Sequence, residues 1–269
     1  MIKFAFAGMV AMGAATGALA QMTDVPAADT SAPAAATSID GSNWTGVYGG
    51  VHAGYGFDNG RKIAVNGSSA GAAAAIANGV RPGQLSQNRA GWLGGGQLGI
   101  NFQHDKLVFG AEGDFSYMHS RGTADYTGAG SGLIAPGRRT LVNSRLDWLG
   151  SARARLGYAP TDQGLIYVTG GYAFGKVKGD AQFYDNNSAL TFAGGHNYTA
   201  QGWIAGAGGE FRPFSNGTLS KVSLGIEATY YDLGKSNIIA QQVSGGPDYY
   251  QLGKATRGYN GVVKINYHF

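Results

Sequence analysis

From Trp44 onward, the sequence alternates with a period of two between apolar or small residues and more polar ones. The alternating runs cover 47–57, 92–102, 107–117, 146–158, 166–175, 202–211, 222–231 and 259–269. No residue on their apolar faces is charged. A period of two is the pattern of a β-strand whose two faces meet different surroundings. The chain is therefore predicted to be all-β, with eight strands.

The connections between these predicted strands alternate in length. The short connections are turns at 104–106, 160–164 and 213–220. The long ones, predicted to be loops, are roughly 58–90, 119–145, 176–200 and 232–257. Long loops without secondary structure are uncommon in compact soluble domains, whereas bacterial transmembrane barrels combine short periplasmic turns with long extracellular loops. We predict an eight-stranded antiparallel transmembrane β-barrel with this arrangement of turns and loops.

A soluble barrel turns its apolar face inward, whereas a membrane barrel turns it toward lipid. Two observations favour an apolar face that is turned toward lipid. The polar faces of the runs are crowded with Gly and have few charges, although a water-facing surface normally has about 25–35% charged residues. Aromatic residues also mark both ends of the apolar faces, as in the aromatic girdles of membrane barrels. The predicted girdle residues are Trp92, Trp148, Trp203, Phe102, Tyr158 and Phe211.

The opposite, inward face contains all charges of the alternating runs and many of the 47 glycines of the chain. These charges are Glu112, Asp114, Asp147, Arg153, Arg155, Glu210, Glu227 and Lys264. Because unpaired buried charges are costly, we expect all of them except Asp147 to join one lumen charge network, with arginine–carboxylate pairs. The network is either a structural plug or an ion path. The narrow bore of an eight-stranded barrel favours the plug.

The first residues have the layout of an export signal. Lys3 precedes an apolar stretch from Phe4 to Ala15, and Ala18-Leu19-Ala20 fits a cleavage site. The stretch is shorter than the roughly 20 residues that a spanning helix needs, so a signal peptide is favoured over a membrane anchor. We predict a signal peptide at 1–20, a flexible periplasmic linker at 21–43 that is rich in Ala, Ser, Thr, Asp and Pro, and the barrel domain at 44–269.

The predicted loops are basic on balance and contain two histidines. Their basic residues include Arg61, Lys62, Arg81, Arg89, Arg121, Arg138, Arg139 and Arg145. These charges either attract anionic lipopolysaccharide or a host polyanion, or only keep the loops soluble. His119 and His196, the latter near Tyr198, are candidates for haemin binding because His and Tyr both ligate haem iron. The alternative is that both are ordinary solvated histidines.

Two glycine motifs match enzyme signatures only formally. Gly94-x-Gly96-x-x-Gly99 would need a following helix to hold a dinucleotide, but the strand pattern continues through it. Gly67-x-Ser69-x-Gly71 lacks the strand–turn–helix context of a nucleophile elbow. The chain has no Cys, and its histidines lack paired zinc spacing. We therefore predict no catalytic residues, no cofactor, no metal and no nucleic-acid partner, and conclude that the protein is not an enzyme.

Several sequence blocks, in order along 44–269, carry a family resemblance. They are Trp44–Gly50, Ala53–Gly56, Gly94–Gly99, Phe109–Asp114, Trp148–Tyr158, Tyr167–Gly171, Glu227–Gly234 and Val263–Phe269. Together they resemble the small outer-membrane β-barrel family of alphaproteobacteria, which is similar to the barrel of OmpA-like proteins. The alternating end, Val263, Ile265, Tyr267 and Phe269, resembles the C-terminal signal that the outer-membrane assembly machinery reads.

The resemblance implies a location in the outer membrane of a Gram-negative bacterium, since the family includes major surface antigens. We expect a structural surface protein that supports envelope integrity and contacts outer-membrane lipid, lipopolysaccharide or a host surface ligand. Some members of the family are described as porins or haemin binders. A narrow porin for small solutes and a haemin-binding surface protein are therefore the alternative functions.

Overall fold

The computed structural model describes residues 43–128 and 137–269. Eight antiparallel strands pair in chain order and close into a barrel, in which the first strand meets the last. The strands are β1 (Gly46–Gly67), β2 (Gln84–His104), β3 (Leu107–Thr127), β4 (Arg139–Thr161), β5 (Gly164–Tyr184), β6 (Leu190–Phe211), β7 (Val222–Gln242) and β8 (Tyr249–His268). The predicted fold class is confirmed.

Two short helical segments complete the described chain. Helix α1 (Ala70–Ala77) follows β1, and a 3-10 turn (Thr218–Lys221) precedes β7. The Ser69 side chain caps α1 by accepting a hydrogen bond of 3.2 Å from the Ala72 amide. The motif Gly67-x-Ser69-x-Gly71 therefore lies between a strand and a helix, contrary to the prediction that it lacks this context, and its serine serves as the helix cap. Neither segment, nor any other helix in the described ranges, is long and apolar enough to span a membrane. The predicted signal peptide at 1–20 lies outside the described residues, as does the predicted linker up to residue 42.

The strands are about twice as long as the alternating runs that predicted them. Each contains between 20 and 23 residues, and the additional residues occupy much of the segments that were predicted to be loops. The extracellular connections that remain are 68–83, 128–138, 185–189 and 243–248. The barrel therefore continues beyond the apolar-walled part as a strand extension on the extracellular side.

The polarity of the two faces reverses between these parts, which explains why the alternation did not reveal the extension. In the apolar-walled part, side chains such as Leu98 and Ile226 are exposed on the outer face. In the extension, Ile63 and Leu252 are buried inside, whereas Lys62 is exposed outside. Lipid surrounds the first part and water surrounds the second, so the apolar residues change sides.

Strand β4 also contains an irregularity that overturns two predicted orientations. Its register with β5 shifts between Leu146 and Leu149, and its register with β3 shifts between Leu146 and Trp148. Leu146, predicted on the lipid face, is fully buried inside the barrel. Asp147, predicted in the lumen, forms outer-wall ion pairs with Lys178 and Arg145. A β-bulge changes the face on which the following side chains lie, and the alternation of the sequence does not show the position of the bulge.

The barrel interior is filled by three apolar layers, with the predicted lumen charges between the first two. The periplasmic layer contains Trp44, Val108, Ala159, Leu165 and Tyr167. The middle layer contains Leu93, Met118, Leu146, Leu149, Ala173, Val177, Ala200, Ile204, Tyr231 and Leu233. The outer layer contains Ile63, Val65, Ala72, Leu85, Ala124, Val142, Ala181, Phe183, Ile238, Ala240, Tyr250 and Leu252. Since Ala72 belongs to the outer layer, α1 packs onto the extracellular end of the core.

Candidate functional site

The centre of the lumen holds two bases that share two carboxylates. The Nη1 atom of Arg153 on β4 lies 2.6 Å from Oε1 of Glu227 on β7, and its Nη2 atom contacts Glu112 on β3. Lys264 on β8 donates to Glu112 at 2.8 Å and to Glu227 at 3.2 Å. All of these side chains are almost completely buried. The four groups link strands from opposite sides of the barrel.

Arg155 forms a second part of this network, closer to the periplasm. Its Nη2 atom lies 2.6 Å from Oε1 of Glu210, and its guanidinium lies 3.6 Å from the centre of the Tyr167 ring. Its Nη1 atom donates to the Tyr48 hydroxyl at 3.1 Å. The Ser223 hydroxyl donates to the other oxygen of Glu210 at 3.0 Å. Both terminal nitrogens of Arg155 and both carboxylate oxygens of Glu210 thus have a partner.

Asp114, the last of the predicted lumen charges, lies at the edge of the same cluster. It accepts a hydrogen bond from Ser151, and its carboxylate lies 3.3 Å from Nη2 of Arg153. The structure therefore brings together all the residues named for the network. They are Glu112, Asp114, Arg153, Arg155, Glu210, Glu227 and Lys264.

Two lumen tyrosines also belong to the network and were not among its predicted members. Tyr48 donates to Glu112 at 2.8 Å, and Tyr167 donates to Glu227 at 2.8 Å. Each ring needs a glycine on the neighbouring strand, because a Cβ atom at Gly99 would collide with Tyr48 and one at Gly208 would lie 2.6 Å from the Tyr167 hydroxyl. The pairing of an inward aromatic residue with an inward glycine is the signal that could have identified them.

Little free space remains around these side chains. A cavity of about 20 Å³ lies between His52, Asp114, Arg153 and neighbouring lumen residues. A volume of this size holds about one water molecule. On the extracellular side, the middle and outer apolar layers follow the network. The arrangement is that of a filled barrel interior.

Two arginines that were predicted to be basic residues of the first external loop are buried, Arg81 in the connection 68–83 and Arg89 on β2. Arg81 is 3% exposed, donates to the Arg139 carbonyl at 2.8 Å and lies over the Phe183 ring. Arg89 is 1% exposed and lies 3.6 Å from the Asp58 carboxylate. Arg89 was wrongly predicted because β2 begins at Gln84 and turns this side chain inward, whereas Arg81 does lie in the connection 68–83 but is buried there against the end of the barrel. Neither arginine is available to an external polyanion.

A buried lysine accompanies Arg89 in the extension. Lys254 on β8 contacts Gln87 and donates to the Ser144 hydroxyl at 2.6 Å. Burial, and to a smaller extent the positive charge of Arg89, lowers the pKa of Lys254 to about 7. No carboxylate of the described chain lies within 4 Å of its ammonium group. Lys254 is therefore a buried base held by neutral hydrogen-bonding partners.

The three haemin candidates do not form one group. His196 and Tyr198 are half-buried in the extension, with their ring centres 4.9 Å apart. Burial lowers the pKa of His196. His119 is exposed on β3 rather than in a loop. Within the described ranges, no cluster of three His, Cys, Asp or Glu side chains is arranged to hold a metal ion.

The predicted girdle and terminal residues lie on the outer wall. The tryptophans pack with neighbouring aromatic rings, since Trp92 lies 5.4 Å from Tyr55 and Trp148 lies 5.8 Å from Phe174. Exposed girdle residues are Trp92, Trp203, Phe102, Tyr158 and Phe211. The proposed assembly signal, Val263, Ile265, Tyr267 and Phe269, is exposed at alternate positions at the end of the chain. Their roles as girdle and signal remain predictions.

Comparisons with known proteins agree with this architecture. The sequence matches the family described as outer membrane protein beta-barrel domain over residues 6–253. It is 36% identical over 239 residues to the 31 kDa outer-membrane immunogenic protein of Brucella melitensis biotype 1, covering 84% of this chain and 85% of that protein. It is 29% identical over 174 residues to the 25 kDa outer-membrane immunogenic protein of Brucella canis, covering 65% and 61% of the two chains.

A solved structure shares the fold at low sequence identity. The outer membrane protein OprG from Pseudomonas aeruginosa superposes with a TM-score of 0.52 and 11% identity, covering 84% of this chain and 96% of that one. At this level of identity the similarity concerns the barrel fold alone.

Proposed function

The chain belongs to the outer membrane β-barrel domain family, and from this premise we propose that it is a structural protein of the Gram-negative cell surface with a plugged lumen. It is an outer-membrane protein, as its family match and its relatives indicate. Its proposed roles are to support the integrity of the envelope and to serve as a surface antigen, rather than to catalyse a reaction or conduct solutes. The lipid-facing wall anchors it, and the strand extension presents it to the outside.

The observation that supports a plug is the lumen charge network. Arg153 and Lys264 both bridge Glu112 and Glu227. An open path would require at least one of these buried groups to leave its partners, and breaking a buried ion pair costs about 3–5 kcal/mol. The apolar layers on the extracellular side would also have to open. A permanently conducting state is therefore disfavoured.

Planar-bilayer recording tests the plug directly. Purified folded protein is expected to give no reproducible conductance steps, while a known porin in the same chamber does. Folding before insertion is checked by heat-modifiable migration on gels. Reproducible single-channel steps from the pure protein would contradict the plugged lumen and support the alternative function, a narrow porin for small solutes.

The surface role is supported by the names of the relatives, which are outer-membrane immunogenic proteins. The connection 243–248, where Gly245 adopts a positive φ of 82°, is a suitable place for a short epitope tag. A tag after Gly245 is expected to bind antibody on intact cells. The same tag in the turn at 162–163 should bind only after the cells are permeabilised. Equal labelling of both sites on intact cells would contradict the proposed orientation.

Haemin binding is the second candidate function, and the His196–Tyr198 pair favours it. The Nδ1 atom of His196 is buried and has no hydrogen-bond partner among the described residues. Both side chains are types that ligate haem iron. Titration with haemin should then produce a shifted Soret band that His196→Ala abolishes and His119→Ala preserves. The absence of any spectral change in the wild-type protein would remove this candidate.

A further inference from the structure

Three basic residues lie side by side on the outer wall of the extension. Arg121 on β3 is opposite Arg145 on β4, and Arg145 is opposite Lys178 on β5. All three side chains are on the water-facing side of their strands. We call them the cation row. Like charges directly opposite each other on neighbouring strands are destabilising, so the row needs negative charge close to it.

The carboxylates of the protein supply only part of that charge. Asp147 lies 3.3 Å from Nε of Arg145 and 2.7 Å from Nζ of Lys178. Asp180 accepts a hydrogen bond of 3.0 Å from Asn143. Within the described ranges, Arg121 has no carboxylate within 4 Å. The row and these two acids together have a net positive charge.

The cation row borders a concave part of the wall rather than a flat one. The concavity has a volume of about 540 Å³ and is lined by all three bases. Its floor is organised by hydrogen bonds, because Thr123 donates to Asn143 at 3.0 Å and Asn143 in turn holds Asp180. Known ligand sites have volumes of about 300–1,000 Å³. The bases therefore surround a space large enough for a phosphorylated sugar.

The height of the cation row relative to the membrane indicates which kind of ligand it can reach. On the same strands, the outward aromatic residues nearest to the row are Tyr117, Trp148 and Phe174. Aromatic residues of this kind mark the boundary between hydrocarbon and headgroups. The row lies three or four residues further along each strand, which in a tilted strand is about 10 Å above that boundary. This is the height of lipid headgroups.

We infer that the cation row binds the phosphate groups of the glycolipid in the outer leaflet, the lipid A part of lipopolysaccharide. Guanidinium groups bind phosphate oxygens with two parallel hydrogen bonds, and a lysine adds a point charge. The acyl chains of such a lipid would lie along the apolar wall below the girdle. The inference rests on the proposed function only for the placement of the barrel in the outer membrane.

Binding of bisphosphorylated lipid A to the purified, detergent-solubilised protein tests the inference. Native mass spectrometry counts the bound lipid molecules. Separate experiments use dephosphorylated lipid A in place of lipid A, and inorganic phosphate as a competitor. The test variant is Arg121→Gln/Arg145→Gln/Lys178→Gln. The control variant, Lys62→Gln/Lys235→Gln/Arg257→Gln, removes the same charge from β1, β7 and β8 on the other side of the barrel. Heat-modifiable migration confirms that each variant is folded.

The wild-type protein and the control variant should retain lipid A, and the cation-row variant should bind it at least about tenfold more weakly, because charge-assisted hydrogen bonds are the strong ones. Millimolar inorganic phosphate should not displace the lipid, and dephosphorylated lipid A should not be retained. Equal binding by the cation-row variant, an equal loss in the control variant, or equal retention of dephosphorylated lipid A would each overturn the inference. None of these results depends on whether the lumen conducts, so failure here is separate from failure of the plug.

Discussion

Arg153 on β4 and Glu227 on β7 form an ion pair of 2.6 Å across the lumen, although 74 positions separate them in the sequence. Replacing Arg153 with Met would leave Glu227 and Glu112 buried with Lys264 as the one base that they still share. We expect Arg153→Met to lower the free energy of unfolding by about 3–5 kcal/mol, because removing one partner leaves uncompensated charge. Urea titration of the folded fraction, followed by gel mobility without boiling, measures this loss.

Arg139→Met is the matched control, since Arg139 is on the same strand and donates to Asp125 at 2.9 Å in an exposed pair. Exposed ion pairs contribute about 0–1 kcal/mol, so this variant should unfold near the wild-type urea concentration. Similar losses in the two variants would contradict the idea that burial makes the Arg153 pairs important.

Gly208 and Gly209 are neighbours on β6 whose substitution should have opposite outcomes. A Cβ atom at Gly208 would lie 2.6 Å from the Tyr167 hydroxyl and from the Ile226 carbonyl, whereas the nearest atom to one at Gly209 is 3.6 Å away. Gly208→Val should therefore destabilise the barrel by about 1–3 kcal/mol or prevent folding, because it overpacks the lumen. Gly209→Val should fold normally. Heat-modifiable migration after refolding distinguishes the two variants, and a normally stable Gly208→Val would count against a filled lumen.

Leu146 tests the bulge in β4. It is 0% exposed inside the barrel, so Leu146→Ala should lower the free energy of unfolding by about 2–5 kcal/mol through lost burial and a residual cavity. Leu141, on the outer side of the extension of the same strand, is only half-buried. Leu141→Ala should lower it by less than half as much, as measured by the same urea titration. Comparable losses would mean that Leu146 is not the inward residue.

The lowered pKa of Lys254 predicts that the stability of the protein depends on pH. Its pKa is lowered from 10.5 to about 7 in the folded protein by burial. Between these values the unfolded chain binds a proton that the folded chain does not, so this residue makes the protein more stable as the pH rises from 7 toward 10.5. Lys254→Met lacks the effect. Relative to the variant, the wild type should gain up to about 1.4 kcal/mol per pH unit in that window.

Urea titrations of the wild type and Lys254→Met at pH 7.5 and 9.5 measure this difference. Lys235→Met, which changes an exposed lysine of β7, is the control and should keep a constant difference from the wild type. A constant difference for Lys254→Met as well would show that Lys254 is charged in both states throughout this range.

The sequence predicted the apolar-walled part of the barrel well because lipid imposes a simple condition there. Every outward residue must be apolar or small, so the alternation is regular and the strands are visible. The inward charges could also be predicted, because a narrow lumen forces Arg153, Arg155 and Lys264 toward the inward carboxylates of neighbouring strands. Their individual partners could not be predicted, since these depend on how strands far apart in sequence face each other.

The extension was missed because its outer face meets water and therefore accepts polar residues of any kind. Along β5, for example, Lys176, Lys178 and Asp180 alternate with buried Val177 and Gly179. Such a segment has the composition of a loop, and only its pairing with β4 and β6 identifies it as a strand. The cation row is invisible in the sequence for the same reason, since Arg121, Arg145 and Lys178 become neighbours through strand register.

By itself, the sequence determined the class of fold, the number of strands, the face that meets lipid and the residues whose charge must be neutralised in the lumen. These follow from local alternation and from the high cost of placing charge in hydrocarbon. Tertiary structure alone decided the length of the strands, the inward turn of Leu146, Arg81 and Arg89, and the alignment of the cation row. These depend on register, β-bulges and closure of the barrel, which are set by contacts between residues distant in the chain.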